Sequence, residues 1–235
     1  MLPGLPAYVT LTFVISLLLV LFFLGLAVKK SDEIAHKRWF SLLFGCIAVW
    51  ILLQFWLGWT GFYRHYNDIP PRFLLAVLPP LLFIVFVLMY RPALLYAKSM
   101  PLNLLTWLHV ARIPVELVLY WCFVQGAIPE IMTFGGRNFD ILAGLTAPLV
   151  AYYGAEKGIL QKKHLLLWNL ICLGLLFNIV LTAVLSAPFP FQRFGFAQPN
   201  IAVFYSPFIL LPAFIVPAVL FCHLLAILKL WGNSH

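Results

Sequence analysis

Charge is scarce in this chain. Asp, Glu, Lys and Arg make up 9% of its 235 residues, where soluble domains carry roughly 25%. That scarcity excludes a water-soluble globular domain as the bulk of the molecule and places the sequence in the membrane class. Acids are the rarer sign: seven against fifteen Lys and Arg, for a net charge of +8. A basic balance can indicate nucleic acid. Here the basic residues are spread over short connections instead of clustering on one face, so no nucleic-acid partner is expected.

Other absences narrow the chemistry. The four cysteines, Cys46, Cys122, Cys172 and Cys222, all lie in apolar stretches with no CxxC spacing. Neither a zinc ribbon nor a thioredoxin-like redox pair is indicated, and the cysteines read as small buried hydrophobes. GxGxxG and GxxxxGK[ST] are missing, so no nucleotide-driven pump is indicated. GxSxG and HExxH are missing too. No lysine falls inside an apolar span, which argues against a retinal Schiff base. The first positive side chain, Lys29, follows the first apolar run instead of preceding it, opposite to a cleavable signal.

What is present in abundance is apolar sequence: 64% hydrophobic residues and a mean hydropathy of +1.02. Stretches near the ~20 residues that cross a bilayer run over 7–28, 39–61, 73–90, 104–126, 140–155, 165–187 and 201–228. The fifth is short and holds Gly144, Pro148 and Gly154. The expected fold is one all-α transmembrane domain, residues 1–235, a bundle of seven helices. Lys and Arg counts orient it. The first, third and fifth connections and the C-terminal tail hold ten: Lys29, Lys30, Lys37, Arg38, Arg91, Lys98, Lys157, Lys162, Lys163 and Lys229. The other side holds four: Arg64, Arg72, Arg137 and Arg193. The N-terminus is therefore expected outside and the C-terminus in the cytoplasm. Trp39, Tyr90, Trp107, Tyr152, Trp168 and Trp231 fall near the inner interface and Trp59, Tyr63, Tyr120 and Trp121 near the outer one, as an aromatic belt would.

The two outer segments 132–140 and 187–200 are rich in Phe, Gly and Pro, each with one arginine. They are expected to rest at the interface or fold over the bundle as a lid. Prolines recur inside the spans (Pro79, Pro80, Pro114, Pro148, Pro207, Pro212 and Pro217). Each removes a backbone hydrogen bond and bends its helix, and such bends open space between helices.

The candidate site lies on the fourth span. Arg112 and Glu116 are four residues apart in the apolar run Leu104 to Val124, with His109 on the same helical stripe. Charge near a bilayer centre is costly and marks function by default. The pair is expected to bridge within its helix, and to bind an acidic group or carry protons. His109 falls nearer the cytoplasm, level with His223. Asn178, near the midplane, with Gln54, Asn169 and Ser206, could complete the site, although single amides also serve as interhelical glue. Asp140 is expected to cap the fifth helix and could join Arg137 or Arg193 in an outer gate. No metal site and no cofactor are expected; the alternative is a b-type haem or shared metal on His109 and His223.

Seven spans with an outside N-terminus are common to heptahelical receptors and to small transporters built as three helices, a linker helix and three helices. The count alone says little about activity. The leading expectation is a non-enzymatic, multi-pass cell-membrane protein, of bacterial inner-membrane type by its compact loops. It would bind or transport a small anionic or amphipathic molecule, or protons. Its surroundings would be the lipid bilayer, that small molecule, and either further copies or a membrane complex. Two alternatives stand beside it: a membrane redox or lipid-modifying enzyme using His109, His223 or Glu116, and an accessory subunit with no site of its own.

Overall fold

In a computed structural model the described residues are residue 2, residues 4–31 and residues 36–231, with 36–40 described by backbone alone. The interfacial place of the Trp39 side chain and the side taken by His235 lie outside them. Among the described residues the chain contains helices, turns and loops and no strand. Nine α-helices follow in order: α1 Ala7–Lys29, α2 His36–Thr60, α3 Leu74–Met89, α4 Arg91–Ser99, α5 Leu102–Trp107, α6 Arg112–Val124, α7 Ile141–Leu149, α8 Lys162–Ser186 and α9 Val216–Trp231. Five continuous segments among them are long and apolar enough to cross a membrane, at 7–29, 41–60, 102–124, 162–186 and 211–231. A sixth crossing results if α3 and α4 count as one bent span.

The apolar runs set these lengths, and most span limits agree with the sequence reading to within three residues. The differences have identifiable causes. Residues 91–99, expected as a plain connection, form α4, which leaves α3 at 92°. The turn is at Tyr90, whose backbone is extended, and Pro92 sits in the first turn of the new helix, where its missing N–H costs nothing. Pro79 and Pro80, expected to bend the helix, lie within α3, which continues through both. The last span begins at 211 and not at 201: residues 201–210 form a 3₁₀ turn and a loop around Pro207. Ser206 therefore lies outside the span and donates its hydroxyl to the Phe55 carbonyl of α2.

Where the sequence leads one to expect a fifth span, α7 is followed by a π-helical segment, Val150–Glu156, together sixteen residues. At 1.5 Å per residue it measures at most about 24 Å, short of the ~30 Å hydrocarbon core. Its shortness is explained by the preceding loop. Residues 127–140 turn Ile128, Met132, Thr133, Asn138 and Asp140 into the protein and leave Glu130, Phe134, Gly135, Arg137 and Phe139 exposed.

The segment 102–124 is not one regular helix. Residues Leu108–Ala111 tighten to 3₁₀ geometry. Pro114 explains the break, because it has no N–H for the Val110 carbonyl and its ring crowds that carbonyl. Against this break packs Gly144 of α7. A Cβ there would lie 2.8 Å from Ile113 Cγ1 and 3.0 Å from the Ile113 backbone nitrogen. A glycine is needed because two backbones touch. This close approach brings Asp140, the residue just before α7, to the face of α6 that carries Arg112.

Candidate functional site

Six polar side chains from four parts of the chain meet in the centre of the bundle. Arg112 and Glu116 come from α6, Asn138 and Asp140 from the inserted loop, Asn169 from α8 and His223 from α9. All are buried; Arg112 is 3% exposed, Glu116 1% and His223 0%. Arg112 lies ten residues from one end of its span and twelve from the other, so it sits at mid-length.

Arg112 is held on every side. Its Nε donates to Asp140 Oδ2 at 2.6 Å, and its Nη2 pairs with Asp140 Oδ1 to complete a two-pronged ion pair. Nη2 also reaches the Cys172 carbonyl at 3.3 Å, and Nη1 meets His223 Nε2 at 3.1 Å. The guanidinium can only donate, so His223 Nε2 accepts. Its Nδ1 then carries the proton and donates to Asn169 Oδ1 at 2.9 Å. Asn169 Nδ2 in turn donates to the Leu165 carbonyl at 2.9 Å. This chain of donors and acceptors assigns a neutral His223 in a single tautomer.

Glu116 does not pair with Arg112, contrary to the i, i+4 expectation. In that spacing a cation N-terminal to the anion is the weaker order, and Asp140 offers both oxygens in fork geometry. Glu116 instead accepts from Asn138 Nδ2 at 2.8 and 2.7 Å, one contact to each carboxylate oxygen. Asn138 Nδ2 also donates to the Met132 carbonyl, while Asn138 Oδ1 accepts the Asp140 backbone N–H at 3.0 Å. Asn138, and not Asp140, thus serves the start of α7. Asp140 makes no side-chain cap, because both its oxygens are taken by Arg112, and among the described residues no ion pair joins it to Arg137 or Arg193.

His109 joins the cluster by stacking. Its ring lies on that of His223 with centroids 3.9 Å apart and planes 19° from parallel, and the edge of Trp168 closes the group. Two axial haem ligands stand on opposite faces of the macrocycle; these two rings face each other directly. His109 Nδ1 is buried without a hydrogen-bond partner.

The other expected site residues lie elsewhere. Gln54 is buried in α2 but accepts from Tyr63. Burial pushes the Tyr63 phenol up to about 12, so it remains a donor. Asn178 is exposed and donates to the Arg137 carbonyl at 2.9 Å, pinning the inserted loop to α8. The Arg137 and Arg193 side chains are exposed. Sequence reasoning missed the pairing of Arg112 with Asp140 and of Glu116 with Asn138. The available signal was the shortness of the expected fifth span.

No known protein family, curated protein or solved structure matches this chain.

Proposed function

We propose that this chain is a multi-pass membrane protein of seven crossings, N-terminus outside and C-terminus cytoplasmic, which binds or transports a small anionic or amphipathic molecule at the cluster around Arg112. Five continuous crossings, the bent α3–α4 pair and the short 141–156 helix support the count. The ten-to-four distribution of basic residues supports the orientation. A bacterial inner membrane suits the compact connections.

One observation carries the function: ionisable groups on separate helices converge at mid-length, and only two of them neutralise each other. A structural lock needs the Arg112–Asp140 pair alone, and apolar residues would pack as well at less cost. Glu116 and the two stacked histidines are left over. Buried ionisable groups in membrane helices that face one another line substrate and ion pathways. The arrangement here is closed: an anionic solute takes the guanidinium of Arg112 by displacing Asp140.

A thermal-shift screen of small carboxylates and phosphates on the detergent-purified protein tests this, since a ligand that binds only the folded state raises the melting temperature. Stabilising compounds should lose their effect in Arg112→Ala/Asp140→Ala, which removes both ions together. No stabilisation across the panel, or equal stabilisation of the double variant, sinks the reading. Reporters fused at His235 and within 187–200 should fall on opposite sides, with His235 cytoplasmic.

A further inference from the structure

We infer that the cluster takes up one proton, held on Glu116, as the ion that accompanies its solute. This rests on reading the cluster as a working site. It follows from a count of charges in a place where net charge is expensive.

The titratable groups of the cluster and its neighbours can be assigned one by one. Arg112 contributes one positive charge and Asp140 one negative, joined through two prongs. His223 is neutral, because its Nε2 accepts from Arg112 and its Nδ1 donates to Asn169. The thiols of Cys122 on α6 and Cys172 on α8 are buried and uncharged. His109 has a buried Nδ1 with no acceptor opposite it. An imidazolium needs an acceptor at both nitrogens, so a second ring proton there would be a buried, unsatisfied, charged donor. Among the described residues, Glu116 accepts from the uncharged amide of Asn138 alone. With Glu116 ionised, the cluster holds two carboxylates and one cation. It is one positive charge short.

A proton supplies that charge without any rearrangement of the backbone. The carboxylate takes H⁺ and becomes a neutral acid; nothing else is oxidised, reduced or displaced. Asn138 then has two tasks: its amide nitrogen holds Glu116 and its carbonyl holds the start of α7. A change of charge at Glu116 is thereby felt at Asp140, two residues along the same loop, and so at the guanidinium that the solute must reach.

Infrared spectroscopy of the whole protein in lipid reads this directly, through the C=O stretch of a protonated carboxylic acid. At neutral pH the wild-type protein should show one such band, and Glu116→Gln, which mimics the protonated side chain, should remove it. Asp140→Asn should remove it as well, although Glu116 is untouched, because Glu116 then ionises to balance Arg112. Arg112→Gln/Asp140→Asn should keep the band, since the pair leaves together and the shortfall persists. A wild-type protein without the band, a band that survives in Glu116→Gln, or a band that survives in Asp140→Asn each overturns the inference. If Asp140→Asn does not fold, loss of the band in the double variant overturns it. Solute binding is scored separately by thermal shift. A band with no stabilising solute removes the solute reading alone; solute binding with no band removes the proton alone.

Discussion

At the scale of single residues, the centre of the molecule is organised by competition for one guanidinium. Two carboxylates are within reach of Arg112 in principle, and the one more distant in sequence takes it. Removing one partner of a buried pair typically costs about 3–5 kcal/mol, while replacing both with apolar groups is often neutral. Arg112→Ala is therefore expected to destabilise by about that amount, and Arg112→Ala/Asp140→Ala by less than either single change. Denaturant unfolding in detergent, analysed as a double-mutant cycle, measures it. The residue types were legible in the sequence as an anomaly; their partners were not, because pairing depends on where α7 begins. A second residue has a testable pH signature. The folded Tyr63 phenol lies above its ordinary range, at about 12, through burial. A raised value means that the folded state holds the proton more tightly. Its contribution is whole below pH ~10, the unfolded phenol value, and is lost as pH rises toward 12. Melting temperatures should thus fall more steeply over that window in the wild-type protein than in Tyr63→Phe.

At the scale of elements, proline and glycine decide where the helices stop being regular. Pro114 brings a 3₁₀ turn at Leu108–Ala111, and Gly144 lets α7 lie against it. Forcing a side chain into a well-packed contact costs about 1–3 kcal/mol. Gly144→Leu should lower the melting temperature accordingly, because it pushes α7 from α6 and draws Asp140 from Arg112. Gly174→Leu is the control: Gly174 is exposed, and a Cβ there meets nothing within 4 Å. Long elements were legible from hydropathy alone, as α1 shows, expected at 7–28 and found at Ala7–Lys29. Short ones were not. α4 has nine residues, too few for a span, and its extent is settled by the turn at Tyr90. The loop around Pro207 reads as span because its residues are apolar, yet they pack as irregular chain inside the protein.

At the scale of the whole molecule, the exposed surface is what a lipid solvent tolerates. Leu52, Val49 and Trp56 of α2 are more than half exposed, with no water-soluble face beside them in sequence. Polar groups are turned inward, the reverse of a soluble protein. The all-helical class follows from that, since in lipid each backbone group must be satisfied within its own segment. Irregular chain at membrane depth is permitted only where protein surrounds it; of residues 127–140, Ile128, Met132, Thr133, Asn138 and Asp140 are buried and Phe134 and Phe139 are exposed. Composition does not say which residues of this segment turn inward, because Phe, Gly and Pro suit a buried contact as well as an exposed loop. That loop is fastened to α6 by Asn138 and Asp140.

Proton flux is the most direct measurement of whether that fastened cluster works as a pathway. Liposomes containing the protein and a luminal pH dye, placed under an imposed membrane potential, should acidify faster than protein-free liposomes in the presence of a solute identified by thermal shift. Glu116→Gln should reduce the rate to the protein-free level. Equal rates for wild type and Glu116→Gln, or a wild-type rate no greater than that of empty liposomes, would contradict the account.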